Sequence, residues 1–251
     1  MVASPFVRVA FALAFVAAGF AGLARGATPA TGAPVVIVPI SGMVDDGMAH
    51  LVQRAIAQAD AEHAAAVVLD VDSDGGLVEA AQDIRGAIFA AHEPVYAFVE
   101  RRAFSAASLI TLSTSRIFMA PGSAIGSAEP HPDNPETVSA VKALFVSTAQ
   151  RNHRPEKLAA AFVDKSIDVP GYKTPGTFLT LPAQDAVKTG IADAIEPSLT
   201  AALASEHLAD APRQMQDYTW GEELARFANS IEISALLLTI GTLGLIVEMQ
   251  T

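Results

Sequence analysis

The sequence predicts an α/β domain with a parallel sheet and βα repeats, followed by a C-terminal transmembrane helix. Three observations predict it. Short β-branched runs alternate with stretches of helical periodicity, small-residue turns follow several of those runs, and a long uncharged apolar stretch lies near the C-terminus.

Taken in order, Val35 to Ile40 is a continuous β-branched run, read as a buried strand that Ser41-Gly42 ends. Asp45 and Asp46 open a helix whose Met48, Leu51, Val52, Ala55, Ile56 and Ala59 keep helical spacing. A second buried strand, Ala66 to Val71, leads through Asp72-Ser73-Asp74-Gly75-Gly76 into a helix from Leu77 to Ala90. Pro94 to Val99 reads as a strand, Ser105 to Leu112 as a short apolar helix, and Arg116 to Met119 as a strand ending at Pro121-Gly122. Thr137 to Ala149 and Glu156 to Val163 are helical, Pro182 to Thr189 is a helix closed by Gly190, and Ile191 to Ile195 is a last short strand. Strands alternating with helices imply parallel pairing with right-handed crossovers.

The ends supply the compartment. Arg8 precedes the apolar run Val9 to Leu23, and small residues at Ala24, Gly26 and Ala27 fit cleavage after Gly26, so residues 1–26 are read as a signal peptide, with an uncleaved anchor as the rival. Residues 27–34 are a linker, 35–200 the folded domain, and 201–230 a linker with an amphipathic, interfacial helix at Trp220 to Phe227. Residues 231–249 form an apolar run uncharged from Ile233 to Val247, close to the roughly 20 residues of a bilayer span, with a buried core helix as the rival. The expected location is the cell membrane, with the domain on the exported side.

Composition excludes several classes. A net charge of −11 without a Lys/Arg cluster argues against nucleic acid as a partner. The absence of Cys removes disulfides and thiolate chemistry, and the six histidines form no metal-like pair, so neither a metal nor a cofactor is expected. Asp70, Asp72 and Asp74 alternate along one strand face, a cation site or simply a polar strand end.

Three segments carry candidate chemistry. Gly75-Gly76, after a buried strand, would let a carbonyl approach backbone N–H groups as in an oxyanion hole, or is a plain βα turn. Ser105 opens a helix of small residues, where it is either an N-cap or a nucleophile favoured by the helix N-terminus. Met119-Ala120-Pro121-Gly122, followed by Ile125-Gly126, leaves a small-residue loop against which a chain could lie.

Those segments in that order, with Asp185-Ala186-Val187-Lys188-Thr189-Gly190-Ile191-Ala192-Asp193, resemble the ClpP/crotonase superfamily, and within it the NfeD-like membrane-bound serine proteases. The resemblance runs from about Val35 to Glu196, and Trp220 to Glu248 resembles that family's entry into its first membrane helix. It implies peptide or protein cleavage by a Ser/Lys dyad, with Ser105 as nucleophile and Gly75, Gly76 and the N–H of Ala106 as the oxyanion hole. It also implies a homo-oligomer and a stomatin-like membrane partner. The family's lysine falls near Asn134 to Thr137, where this chain has Asn, Pro, Glu and Thr, so Lys142 is the nearest candidate base. Asp74 replaces the family's proline and puts a carboxylate beside the expected oxyanion hole. Two other classes stay open: the same fold as a binding or scaffolding module with an impaired dyad, and an acyl-CoA enzyme of crotonase type, which export disfavours.

Overall fold

The computed structural model describes residues 32–174, 176–228, 233 and 238–243. The expected signal peptide lies outside them, as does most of the expected span at 231–249, and no helix among the described residues is long and apolar enough to cross a membrane.

The elements in chain order are β1 (Val35–Val44), α1 (Asp46–Glu62), β2 (Ala66–Gly76), α2 (Val78–Ala90), β3 (Val95–Phe104), α3 (Ala106–Leu112), β4 (Arg116–Met119) and β5 (Ala124–Gly126). They continue as α4 (Pro135–Arg151), α5 (Glu156–Val163), β6 (Thr180–Pro182), α6 (Ala183–Lys188), β7 (Ala194–Ile195), α7 (Leu199–Ser205), β8 (Arg213–Met215) and α8 (Trp220–Ala228). The sheet has eight strands in the order β6-β5-β3-β2-β1-β8, with β4 pairing both β3 and β7.

All pairings are parallel except β5 with β6, so the expected all-parallel sheet is corrected to a mixed one. The antiparallel strand β6 lies just before the helix expected from Pro182 and carries no strand signal of its own in the sequence. It is three residues long and ends at Pro182, which has no N–H to continue a ladder.

Alternation along β1 sends Val36, Val38 and Ile40 into the larger core beneath α1, α2 and α3, and Val35 and Ile37 into a smaller one. Ala202 and Leu203 of α7 cover that second face, and β8 pairs with β1 beyond it. The folded unit therefore runs past residue 200, where a linker was expected.

Strands β1, β2 and β3 all run on beyond the expected ends: β1 continues through Ser41-Gly42, and β2 and β3 continue through charged residues that pair across the sheet. In the fold, Asp72 pairs with Arg101 and Arg102, and Arg102 Nε also lies 3.1 Å from Asp74 Oδ1, so the charges are partnered between neighbouring strands. The helix starts follow local chemistry. Asp45 Oδ1 accepts from Met48 N–H at 2.9 Å to cap α1, and Asn134 Oδ1 accepts from Thr137 N–H at 2.9 Å to cap α4.

Candidate active site

Ser105 sits between β3 and α3 with φ 51° and ψ −124°. An N-capping serine has extended backbone and bonds its side chain to the first turn; this one does neither, so the capping alternative is set aside. A non-glycine residue at positive φ costs on the order of 1–3 kcal/mol and persists only when its surroundings impose it. Here they do. Ser105 N–H is shared between the carbonyls of Gly126 (3.0 Å) and Ser127 (3.2 Å), and its own carbonyl accepts from Ser108 N–H (2.9 Å) and Oγ–H (2.7 Å). Among the described residues no hydrogen bond engages the Ser105 hydroxyl, and the residue is half-buried.

Gly75 is pressed against this serine. A Cβ on Gly75 would lie 2.5 Å from Ser105 Cβ, 2.9 Å from Phe104 O and 3.0 Å from Ala106 N, and its φ of +105° also favours glycine. The expected meeting of the β2 end with Ser105 is therefore present. Gly75 supplies room rather than a donor, however, because its N–H is given to Ser73 Oγ at 3.1 Å, and Ser73 Oγ donates to Gly42 O at 2.6 Å. The Gly75 N–H expected in an oxyanion hole is thus engaged within the chain.

Gly76 packs on β1 so closely that a Cβ would lie 2.2 Å from Val44 O. Successive N–H groups of a strand point to opposite sides, and Leu77 donates to Val44 O at 2.8 Å, so Gly76 N–H is directed towards the β3 side, where Ser105 follows. Ala106 N–H stands at the start of α3, where the first amides of a helix have no intrahelical acceptor.

A hollow of about 20 Å³ opens at this point, bordered by Ser105, Ala106, Val78, Val141, Phe145 and Glu129. A larger one of about 410 Å³ lies against Lys165, Ser166 and Gly176, but the Ser166 hydroxyl there donates to Asp164 Oδ1 at 2.6 Å. The smaller hollow is the better candidate because it holds the unengaged hydroxyl. Helix α4 borders it through Val141 and Phe145.

Lys142 is next along α4 but does not border the hollow. Its Nζ donates to Asp164 Oδ2 at 2.9 Å. Hydrogen bonds from Ser166 and from Lys142 itself hold the Asp164 carboxyl down to about 2, so at neutral pH a full negative charge faces the ammonium. No hydrogen bond joins Ser105 to Lys142.

Of the aligned carboxylates, Asp72 and Asp74 face arginines as above, which offsets the charge that Asp74 brings to the site. Burial, then the neighbouring Glu100 and Asp72, push Asp70 up to about 6. Among the described residues no group of His, Asp or Glu is arranged to hold a metal ion. The Asp185 to Asp193 segment turns out to be architectural: Asp193 Oδ2 accepts from Ile117 N–H at 2.7 Å and from the buried Arg154 at 2.9 Å.

The fold is that of ClpP-like α/β domains. It is similar to the 1510-N membrane protease specific for a stomatin homolog from Pyrococcus horikoshii (TM-score 0.61, 21% identity, 79% of this chain and 99% of that one). A lysine-to-alanine mutant of the 1510-N membrane-bound stomatin-specific protease, with a substrate peptide, gives a TM-score of 0.68 at 20% identity over 78% and 98%. A ClpP1 mutant from Listeria monocytogenes gives 0.51 at 18% over 66% and 93%. The chain belongs to the family described as NfeD1b, N-terminal domain, which its residues 34–215 match. It is 31% identical over 221 residues to the membrane protein NfeD1b of Bacillus subtilis (strain 168), over 86% of this chain and 51% of that protein. The chain thus spans about half the length of the curated relative it matches.

Proposed function

We propose that this chain is the exported peptidase module of a membrane-anchored protein and that it cleaves peptide bonds through Ser105. The observation that carries this is the backbone of Ser105: held at positive φ by bonds on both sides, it serves no cap and leaves its hydroxyl unengaged against Gly75. Ser105 Oγ would attack the substrate carbonyl, and the N–H groups of Gly76 and Ala106 would stabilise the oxyanion. The anchor would be the apolar run at 231–249, in keeping with a relative named as a membrane protein. A stomatin-like protein is the substrate class suggested by the 1510-N proteases.

Lys142 remains the candidate base, and for that role it would have to exchange Asp164 for Ser105. Its Nζ is engaged by Asp164 rather than by Ser105, and this supports a second reading. In that reading the dyad is impaired and the module binds a stomatin-like partner without cutting it.

Peptide cleavage by purified protein separates the two. The peptidase reading expects cleavage by the wild type and loss of at least about 100-fold in Ser105→Ala. Loss in the serine variant alone, with Lys142→Ala active, keeps the peptidase and rejects the lysine. No cleavage by wild type across varied peptides rejects the peptidase.

A further inference from the structure

Among the described residues, Glu129 is the only ionisable one that borders the Ser105 hollow; the walls, from Val78 and Ala81 through Leu109 to Val141 and Phe145, are apolar. Its place is fixed by the chain on both sides. Ser105 N–H, shared between the carbonyls of Gly126 and Ser127, ties the serine to this segment. Ser127 N–H in turn donates to Leu179 O, and Ala128 N–H to Phe162 O, each at 2.8 Å. Pro130 follows and is buried, and a residue before proline is confined to extended backbone. Glu129 is therefore held two residues from a carbonyl that accepts from Ser105 itself.

The carboxylate has no use within the domain. Glu129 is exposed, and among the described residues its side chain makes no hydrogen bond and no ion pair. The other acids around the site are already paired. Asp74 Oδ1 lies 3.1 Å from Arg102 Nε, Asp133 Oδ2 accepts from Lys165 Nζ at 2.8 Å, and Asp164 Oδ2 accepts from Lys142 Nζ at 2.9 Å. Lys165 is held in its charged form first by that bond to Asp133 and only last by Glu129. The hollow thus presents two unengaged polar groups, the Ser105 hydroxyl and the Glu129 carboxylate.

We propose that Glu129 is a specificity-determining residue, which pairs with a Lys or Arg side chain of the peptide lying at Ser105 and so favours chains with a basic residue beside the cleaved bond. Lys and Arg suit the place for two reasons. Their aliphatic stems can lie against the apolar wall while the charged head stays at the rim, beside the carboxylate. An acidic side chain at the same position meets like charge, so the one residue both attracts and excludes. Because Glu129 is exposed, the pairing is of the rim kind, worth a few-fold in rate and weakened by salt.

The inference rests on the peptidase reading, and the test keeps the two apart. Internally quenched peptides share one Ala-rich core and carry Lys, Gln or Glu at a single position scanned along it, with the cleaved bond located by mass. The wild type is expected to cleave the best Lys peptide with a kcat/KM about three to five times that of its Gln counterpart. The Glu counterpart should be slowest, and the Lys advantage should shrink as salt is raised. In Glu129→Gln the Lys-to-Gln ratio should fall to about one, and in Glu129→Lys the preference should turn to the Glu peptide. Each ratio is taken within one variant, so a general loss of activity does not imitate the effect, and the wild-type ratio stands even where a variant fails to fold. Equal cleavage of Lys, Gln and Glu peptides by the wild type, or a Lys preference that survives in Glu129→Gln, would overturn the assignment and leave the peptidase standing. No cleavage of any peptide by the wild type would overturn both.

Discussion

Replacing Gly75 with alanine is expected to cost about 4 kcal/mol, the sum of backbone strain and overpacking at a site with no slack. The new Cβ would start 2.5 Å from Ser105 Cβ and 2.9 Å from the Phe104 carbonyl, so either β2 leaves β3 or Ser105 leaves its conformation. For a domain of this size that is a fall of roughly 10 °C in Tm, and Ser105 reactivity should fall with it. Gly86 of α2 makes the control, because a Cβ there meets nothing within 4 Å. Gly86→Ala should be neutral or raise stability by up to about 1 kcal/mol. Equal Tm values for Gly75→Ala and wild type by calorimetry would show that β2 and Ser105 are not in contact.

Arg154→Ala is the second large effect. This guanidinium, with a side chain only 5% exposed, donates to Ile191 O at 2.7 Å and to Asp193 Oδ2 at 2.9 Å, and so ties the start of α5 to the segment leading into β7. Removing it leaves the Ile191 carbonyl without this donor, while Asp193 keeps Ile117 N–H and the Arg116 guanidinium, so about 1–3 kcal/mol is expected. Denaturant titration of Arg154→Ala, Asp193→Asn and the double variant tests this. The double should cost clearly less than the two singles added, since each single already breaks the pair. Strict additivity would mean that the pair does not act as a unit.

How far the sequence reveals this molecule follows from what each residue can signal alone. Helices α1 and α5 and strand β4 are legible because their apolar spacing or β-branched content is strong and local. Strand ends are not legible where Asp72, Arg101 and Arg102 intervene, since a charge reads as exposure until its cross-strand partner is known. Strand β8, only Arg-Gln-Met, carries no β signal and exists because the edge of β1 is there to pair with.

The site divides in the same way. The position of Ser105 at a helix start is visible in sequence, but setting the cap aside needs its φ and its missing capping bond. Gly75 and Gly76 read as equivalent until Ser73 Oγ is seen to take the N–H of the first and Val44 to pack on the second. Spacing made Lys142 the nearest lysine, and spacing could not show that Asp164, 22 residues on, holds its ammonium.

The central claim is that Ser105 is an activated nucleophile, and the most direct measurement is its covalent reaction with a fluorophosphonate, read as intact mass. The account predicts one adduct per wild-type chain, mapped to Ser105 and lost in Ser105→Ala. An unmodified wild type, or an adduct that survives in Ser105→Ala, would contradict it.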